Sequence, residues 1–158
     1  MNAHALCEQL ARALQARGWM LATAESCTGG MIAAACTDLS GSSNWFERGF
    51  VTYSNEAKTD LLGVDPALIA QHGAVSEVVA RAMAFGAIRH SLAQVSVAVT
   101  GVAGPTGGTP HKPVGTVWFA FQVDGQLTSE TLRFDGDRAA VRAATVTHAL
   151  ERLLQLLP

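Results

Sequence analysis

Four short stretches of this sequence bring together residue types that could do chemistry. The first is Glu25-Ser26-Cys27-Thr28-Gly29-Gly30. It sets a hydroxyl beside a thiol, ahead of two glycines that would let a ligand come close to the backbone. An anion formed next to Ser26 could be held by the free N–H groups of a helix beginning there, whose end carries partial positive charge. The same residues support a plainer role in which Ser26 or Thr28 only caps that helix. Cys27 competes with Ser26 as nucleophile, because a thiol at a helix N-terminus has a lowered pKa and needs less activation. It is equally a small buried filler, as most free cysteines are.

The second stretch is Tyr53-Ser54-Asn55-Glu56-Ala57-Lys58. A serine at its free pKa is a poor nucleophile and needs a base, and a neutral lysine serves if burial or a nearby cation lowers its pKa. Tyr53 could hydrogen-bond that pair or a substrate. A lysine on an exposed helix face is the alternative. The third stretch runs from Thr100-Gly101 through Gly104-Pro105 to Gly107-Gly108. Successive N–H groups in such a loop can nest a phosphate or carboxylate, although neither GK[ST] nor GxGxxG is present. A flexible connection is the other reading. The fourth is Gly136-Asp137-Arg138 with Arg142, two arginines four apart on one helical face. They could clamp a phosphate or form salt bridges to Asp135 or Glu130.

The five histidines show no HxH, HxxxH or HExxH spacing, so no metal site is expected, and no cofactor motif is present. Three cysteines without a CxxC pair argue against a disulfide framework and for a reducing, cytoplasmic setting. A formal charge of −2 gives no reason to expect nucleic acid or an anionic membrane as partner. The N-terminus is amphipathic rather than a signal peptide, and no apolar run approaches the ~18 residues that span a bilayer. With 49% hydrophobic and only 15% charged residues in 158, the chain reads as one globular domain, 1–158, with apolar surface to spare for a partner subunit.

These stretches need elements to position them. Leu6, Leu10 and Leu14 mark a helix over 3–17 that Gly18 stops. A strand over 19–24 runs into the Ser26 turn and a helix over 31–38. A strand over 45–54 leads to a short helix capped by Asn55 and carrying Lys58. Asp65-Pro66 opens a further helix that Gly73 closes, and Ser76 caps another reaching 92. The run VSVAVT from Val95 is a buried central strand. Strands over 114–123 and 127–134 flank the hairpin signal Asp124-Gly125, and Asp135-Gly136-Asp137 starts a last helix ending near 157. Interleaved strands and helices with one hairpin imply a three-layer α/β/α sandwich around a mixed sheet.

In order, AESCTGG (24–30), VTYSNEAKTDLLGV (51–64), GAVSEVVARAMA (73–84), VAVTGVAGPTGGTPHKPVGTVWFAF (97–121) and FDGDRAAVR (134–142) resemble the CinA C-terminal domain family over nearly the whole chain. That family's characterised activity is nicotinamide-nucleotide amidohydrolase, the deamidation of nicotinamide mononucleotide in pyridine nucleotide salvage. The resemblance implies Ser26 as nucleophile, Lys58 as base, no metal or cofactor, and a homodimer or larger assembly. It implies no pyrophosphatase activity of the kind carried by an additional N-terminal domain in some relatives. Tyr53, Thr100 and Arg142 also match. Glu25, Cys27, Thr28, Gly29, Gly30, Gly101, Gly104, Pro105 and Arg138 are the accompanying candidates for substrate contact. A nucleotide-binding module without catalysis, or a structural subunit linked to competence or DNA damage, are the competing classes. Release of ammonia separates the first reading from both.

Overall fold

The computed structural model describes residues 1–158. Helix α1 (Ala3–Arg17) starts where the Asn2 side chain accepts from the Ala5 N–H and ends at Gly18, whose φ of 68° lets its N–H turn back onto the last carbonyls. Strand β1 (Leu21–Glu25) follows, then α2 (Met31–Thr37) and β2 (Phe46–Val51), which pairs with β1 in parallel. Helices α3 (Asn55–Leu62), α4 (Pro66–His72) and α5 (Glu77–Arg89) carry the chain to β3 (Val95–Gly101), parallel to β1 on its other side. Strands β4 (Thr116–Val123) and β5 (Gln126–Arg133) add an antiparallel hairpin, and α6 (Arg138–Leu156) closes the chain. The sheet order is β2-β1-β3-β4-β5.

The two faces of the sheet differ in side-chain size. On one face Leu21, Val95, Val97, Val99, Val117, Phe119 and Phe121 pack against α1, α2 and α6. On the other, Ala22, Ala24, Ala98 and Ala120 form a shallow stripe under α5, with α3 and α4 outside it. Period-two alternation along each strand produces this division. Small residues at the sheet let α5 lie close, and Gly86 lets α3 lie close to α5 in turn. A Cβ at Gly86 would stand 2.1 Å from the Leu62 carbonyl oxygen. The result is the expected α/β/α sandwich with a mixed sheet. No helix is long and apolar enough to cross a membrane.

Several boundaries differ from the sequence expectation. Strand β2 stops at Val51 rather than 54, because the Thr52 N–H makes the last bond to β1, at Glu25 O, and the carbonyls of residues 52–54 turn onto Lys58 instead. Ser54, not Asn55, caps α3, its hydroxyl accepting from the Ala57 N–H. Helix α5 ends at Arg89, and β4 begins at Thr116, after Gly115 has turned the chain with a φ of 94°. Strand β1 is shifted to include Glu25. Asp124 and Gly125 form the hairpin turn with φ of 47° and 87°, as their residue types require.

The contact at Gly86 is testable. Gly86→Ala places a methyl group against fixed backbone, so stability should fall by at least about 1–3 kcal/mol. A melting temperature equal to that of the unmutated protein would show that α3 and α5 do not meet there.

Candidate active site

The carboxyl ends of the parallel strands β1, β2 and β3 lie side by side, with β1 between the other two. The chain leaves β1 toward β2 and later returns on the opposite side as β3, so a crevice opens at these ends. Ser26 follows β1, residues 52–54 follow β2, and Thr100 and Gly101 end β3. A cleft of about 220 Å³ there is lined by Ser26, Cys27, Tyr53, Lys58, Thr100 and Arg138, among others.

Lys58 is 1% exposed, although lysine is seldom fully buried. Its side chain runs inward from α3, and Nζ lies 3.1 Å from Ser26 Oγ. Nζ also reaches the carbonyls of Thr52 at 3.2 Å, Tyr53 at 3.2 Å and Ser54 at 3.5 Å. Burial holds its pKa below the ordinary lysine value, opposed by the nearby Cys27 and Glu56. Two proton arrangements fit this geometry. Charged Lys58 donates to Ser26 Oγ and the carbonyls, leaving the Ser26 hydroxyl to donate toward Tyr53 O at 3.5 Å. Neutral Lys58 donates to the Thr52 and Tyr53 carbonyls and accepts the Ser26 proton on its lone pair. The second arrangement is that of a nucleophile with its base.

The thiol alternative fares differently. Cys27 is 6% exposed, and burial pushes its pKa up to about 11. The lowering expected at a helix N-terminus is therefore reversed. A smaller push in the same direction comes from Glu25, which is buried beneath the turn. Its carboxylate accepts from the Ile32 N–H at 2.8 Å, the Ala33 N–H at 3.0 Å and the Thr28 hydroxyl. Glu25 thus occupies the end of α2 that was expected to hold an anion, and Met31 N–H closes onto Thr28 O. Gly29 N–H is likewise taken, by Ser26 O at 3.1 Å. The Cys27 and Thr28 N–H groups donate to no other backbone or side-chain atom. Gly29 and Gly30, with φ of 59° and 107°, make the turn from β1 into α2.

Tyr53 touches the Ser26–Lys58 pair through its main-chain carbonyl. Its ring is 60% exposed, and its hydroxyl accepts from Arg138 Nη2 at 3.2 Å. Arg138 also donates to Gly104 O at 3.0 Å, linking the loop after β3 to the loop after β2. It lines both the Ser26 cleft and an adjoining cleft of about 450 Å³ that includes Pro105, Val114 and Gly136. Arg142 does not act with it. Its Nε and Nη2 donate to Cys27 O at 3.1 Å and Thr28 O at 3.3 Å, behind the turn. Neither arginine forms the salt bridge considered with Asp135 or Glu130, since Glu130 pairs with His148 and Arg152. Thr100 donates its hydroxyl to Ala74 O at 2.9 Å and lines the cleft with Gly101.

Glu25, Thr28, Gly29, Gly30, Gly104 and Arg142 build the walls but do not line the Ser26 cleft. Asn55, Ala74, Val75 and Ala103 line it and were not singled out from the sequence. Asn55 sits in the same motif as Lys58 but reads there as a cap. Alanine and valine carry no chemical signal, and only the packing of the loop before α5 brings Ala74 and Val75 to the site. No group of three or more His, Cys, Asp or Glu residues is arranged to hold a metal ion.

A family model described as the CinA C-terminal domain matches residues 3–157. Among curated proteins, the chain is 54% identical over 151 residues to "Nicotinamide-nucleotide amidohydrolase PncC" of Escherichia coli strain K12, covering 95% of this chain and 92% of that one. It is 59% identical over 134 residues to the protein of the same name from Pseudomonas putida, covering 85% and 84% of the two. Among solved structures, competence damage-inducible protein A (ComA) from Klebsiella pneumoniae superposes with a TM-score of 0.96 at 43% identity, covering 99% of this chain and 98% of that one.

The burial of the three thiols is directly measurable. Iodoacetamide at neutral pH should leave Cys7, Cys27 and Cys36 unmodified in the folded protein and label all three after denaturation, as read by intact mass. Rapid labelling of Cys27 in the folded state would return the thiol to contention.

Proposed function

The chain belongs to the CinA C-terminal domain family, and on that premise we propose that it hydrolyses the carboxamide of nicotinamide mononucleotide to nicotinate mononucleotide and ammonia. The observation that carries the mechanism is the buried Lys58 Nζ, 3.1 Å from Ser26 Oγ. Full-length relatives named for this activity support the substrate. The amide enters the cleft at Ser26, and the ribose phosphate extends toward Arg138 and the glycine-rich loop 101–108.

In this mechanism neutral Lys58 takes the Ser26 proton as Oγ attacks the amide carbon. The Cys27 N–H group, which borders the cleft, receives the oxyanion. Protonated Lys58 gives its proton to the leaving nitrogen, ammonia departs, and an ester to Ser26 remains. Water then attacks that ester. Lys58 takes the water's proton and returns it to Ser26 Oγ as the acid leaves. The Thr52 and Tyr53 carbonyls hold Nζ in line throughout. They cost the neutral base nothing, because an amine still has two N–H groups to give them. No metal or cofactor takes part.

Ammonia release by the purified protein is the deciding assay. Ser26→Ala and Lys58→Met should each lower kcat by several orders of magnitude with KM little changed, and the double variant should be hardly worse than either. No release from the unmutated protein would overturn the proposal, and full activity in Ser26→Ala would overturn the assignment of the nucleophile.

The pH dependence follows from Lys58. Its pKa is depressed in the fold, and the active form is the neutral one. kcat/KM should therefore rise with pH through a midpoint below that of free lysine, which lies near ~10.4. A rate that falls over the same range would exclude Lys58 as the base. Activity should also survive exhaustive EDTA treatment, and restoration by zinc or magnesium after such treatment would refute the metal-free mechanism.

A further inference from the structure

We infer that a substrate whose ring is a pyridinium cation drives the proton off Lys58 as it binds, so that the Ser26 cleft selects cationic pyridine carboxamides over neutral amides of the same shape. This rests on the proposed seating of the amide at Ser26. The charge of the cleft carries the inference. Two basic side chains, Lys58 and Arg138, line it, and no aspartate or glutamate does. Nicotinamide bonded to ribose through its ring nitrogen is itself a cation. That ring therefore enters a cleft that holds no counter-charge for it, beside an amine that can be positive.

Distance makes the repulsion strong. Lys58 Nζ lies 3.1 Å from Ser26 Oγ. An amide carbon in reach of Oγ sits ~3–3.5 Å from it, which keeps the ring nitrogen within about 10 Å of Nζ. At that range inside a protein, one unit charge moves the titration of another by roughly one pH unit. Arg138 cannot relieve the repulsion, because a guanidinium keeps its proton. Lys58 can, by releasing its proton to solvent water, with no other bond made or broken. Its surroundings leave that proton loosely held. No carboxylate forms an ion pair with it, and burial already favours the neutral amine. The groups that oppose this are Cys27 on the turn after β1 and Glu56 on α3. Glu25 directs its carboxylate onto α2 instead. Tyr53 turns its main-chain carbonyl to Nζ. The segment before α5 and the end of β3 bring no ionisable side chain to the cleft. Binding thus delivers the base in the form that the reaction needs.

The test compares nicotinamide mononucleotide with its carbon-linked benzamide analogue, which keeps the ribose phosphate and the amide but has no charge on the ring. Either ring excludes water alike, so the difference between the two complexes isolates the charge. The midpoint of kcat against pH should lie about one pH unit lower for the pyridinium than for the benzamide. Lysine titration supplies a readout without turnover. The chain has two lysines, Lys58 and Lys112, and Lys112 donates to His72 O outside the cleft. In Ser26→Ala labelled with carbon-13 at lysine Cε, the Lys58 midpoint should be lower by the same amount in the pyridinium complex. The Lys112 midpoint should not differ between the two. Equal Lys58 midpoints, a higher one with the pyridinium, or failure of the pyridinium to bind would overturn the inference. Absence of ammonia release from the unmutated protein would instead overturn the proposed function, and the lysine titration would still decide the charge effect.

Discussion

An amine taken out of water must either give up its proton or find acceptors that replace its hydration. Lys58 is held under that condition at the carboxyl ends of three parallel strands. Removing an ion from water costs several kcal/mol even after relaxation, more than one surface lysine could gain by any local contact. The fold offsets the cost with main-chain carbonyls, which stay put and do not titrate. Strand β2 ends early so that Thr52 and Tyr53 can turn theirs onto Nζ. Ser54 starts α3 at once, fixing the distance from those carbonyls to Lys58. The close approach of α3 to α5 at Gly86, and of α5 to the alanine stripe of the sheet, keeps α3 from lifting away.

A second group of interactions distributes charge around Ser26. Glu25 takes up the N–H groups of α2, so the helix end is already neutralised and holds no external anion. Arg142 takes the Cys27 and Thr28 carbonyls of the turn, and Arg138 takes the Gly104 carbonyl and the Tyr53 hydroxyl at the opening. The donors left over are few, and two of them follow Ser26 directly in the chain. Burying Cys27 beside them keeps it a neutral thiol and removes a thiolate that would otherwise compete with Ser26 as nucleophile. Glu25 and Arg142 thus satisfy part of the turn, while the Cys27, Thr28 and Gly30 N–H groups keep no hydrogen-bond partner in the protein.

Much of this was legible in the sequence. The four chemical stretches were visible as residue types, and period-two runs with glycine, proline and capping signals located the elements within a few residues. Ser76, Asp65 and Asp137 cap helices as expected, because a side chain that bonds its own next turn needs no distant partner. Asn55 and Ser54 are both capable caps, and which one serves depended on where β2 released the chain.

The sequence by itself determined the α/β alternation, the hairpin at Asp124-Gly125 and the placement of Ser26 at a strand-to-helix turn. These rest on interactions within a few residues of one another. Tertiary structure decided that Lys58 is buried against Ser26, 32 residues away, rather than exposed on its helix. It decided that Cys27 is shielded, that Tyr53 meets the pair through its carbonyl, and that Arg138 and Arg142 part company. Each of these depends on which way a side chain or carbonyl points once distant strands are side by side. Residue type does not encode that direction, and only the packing of the sheet between its two helical layers fixes it.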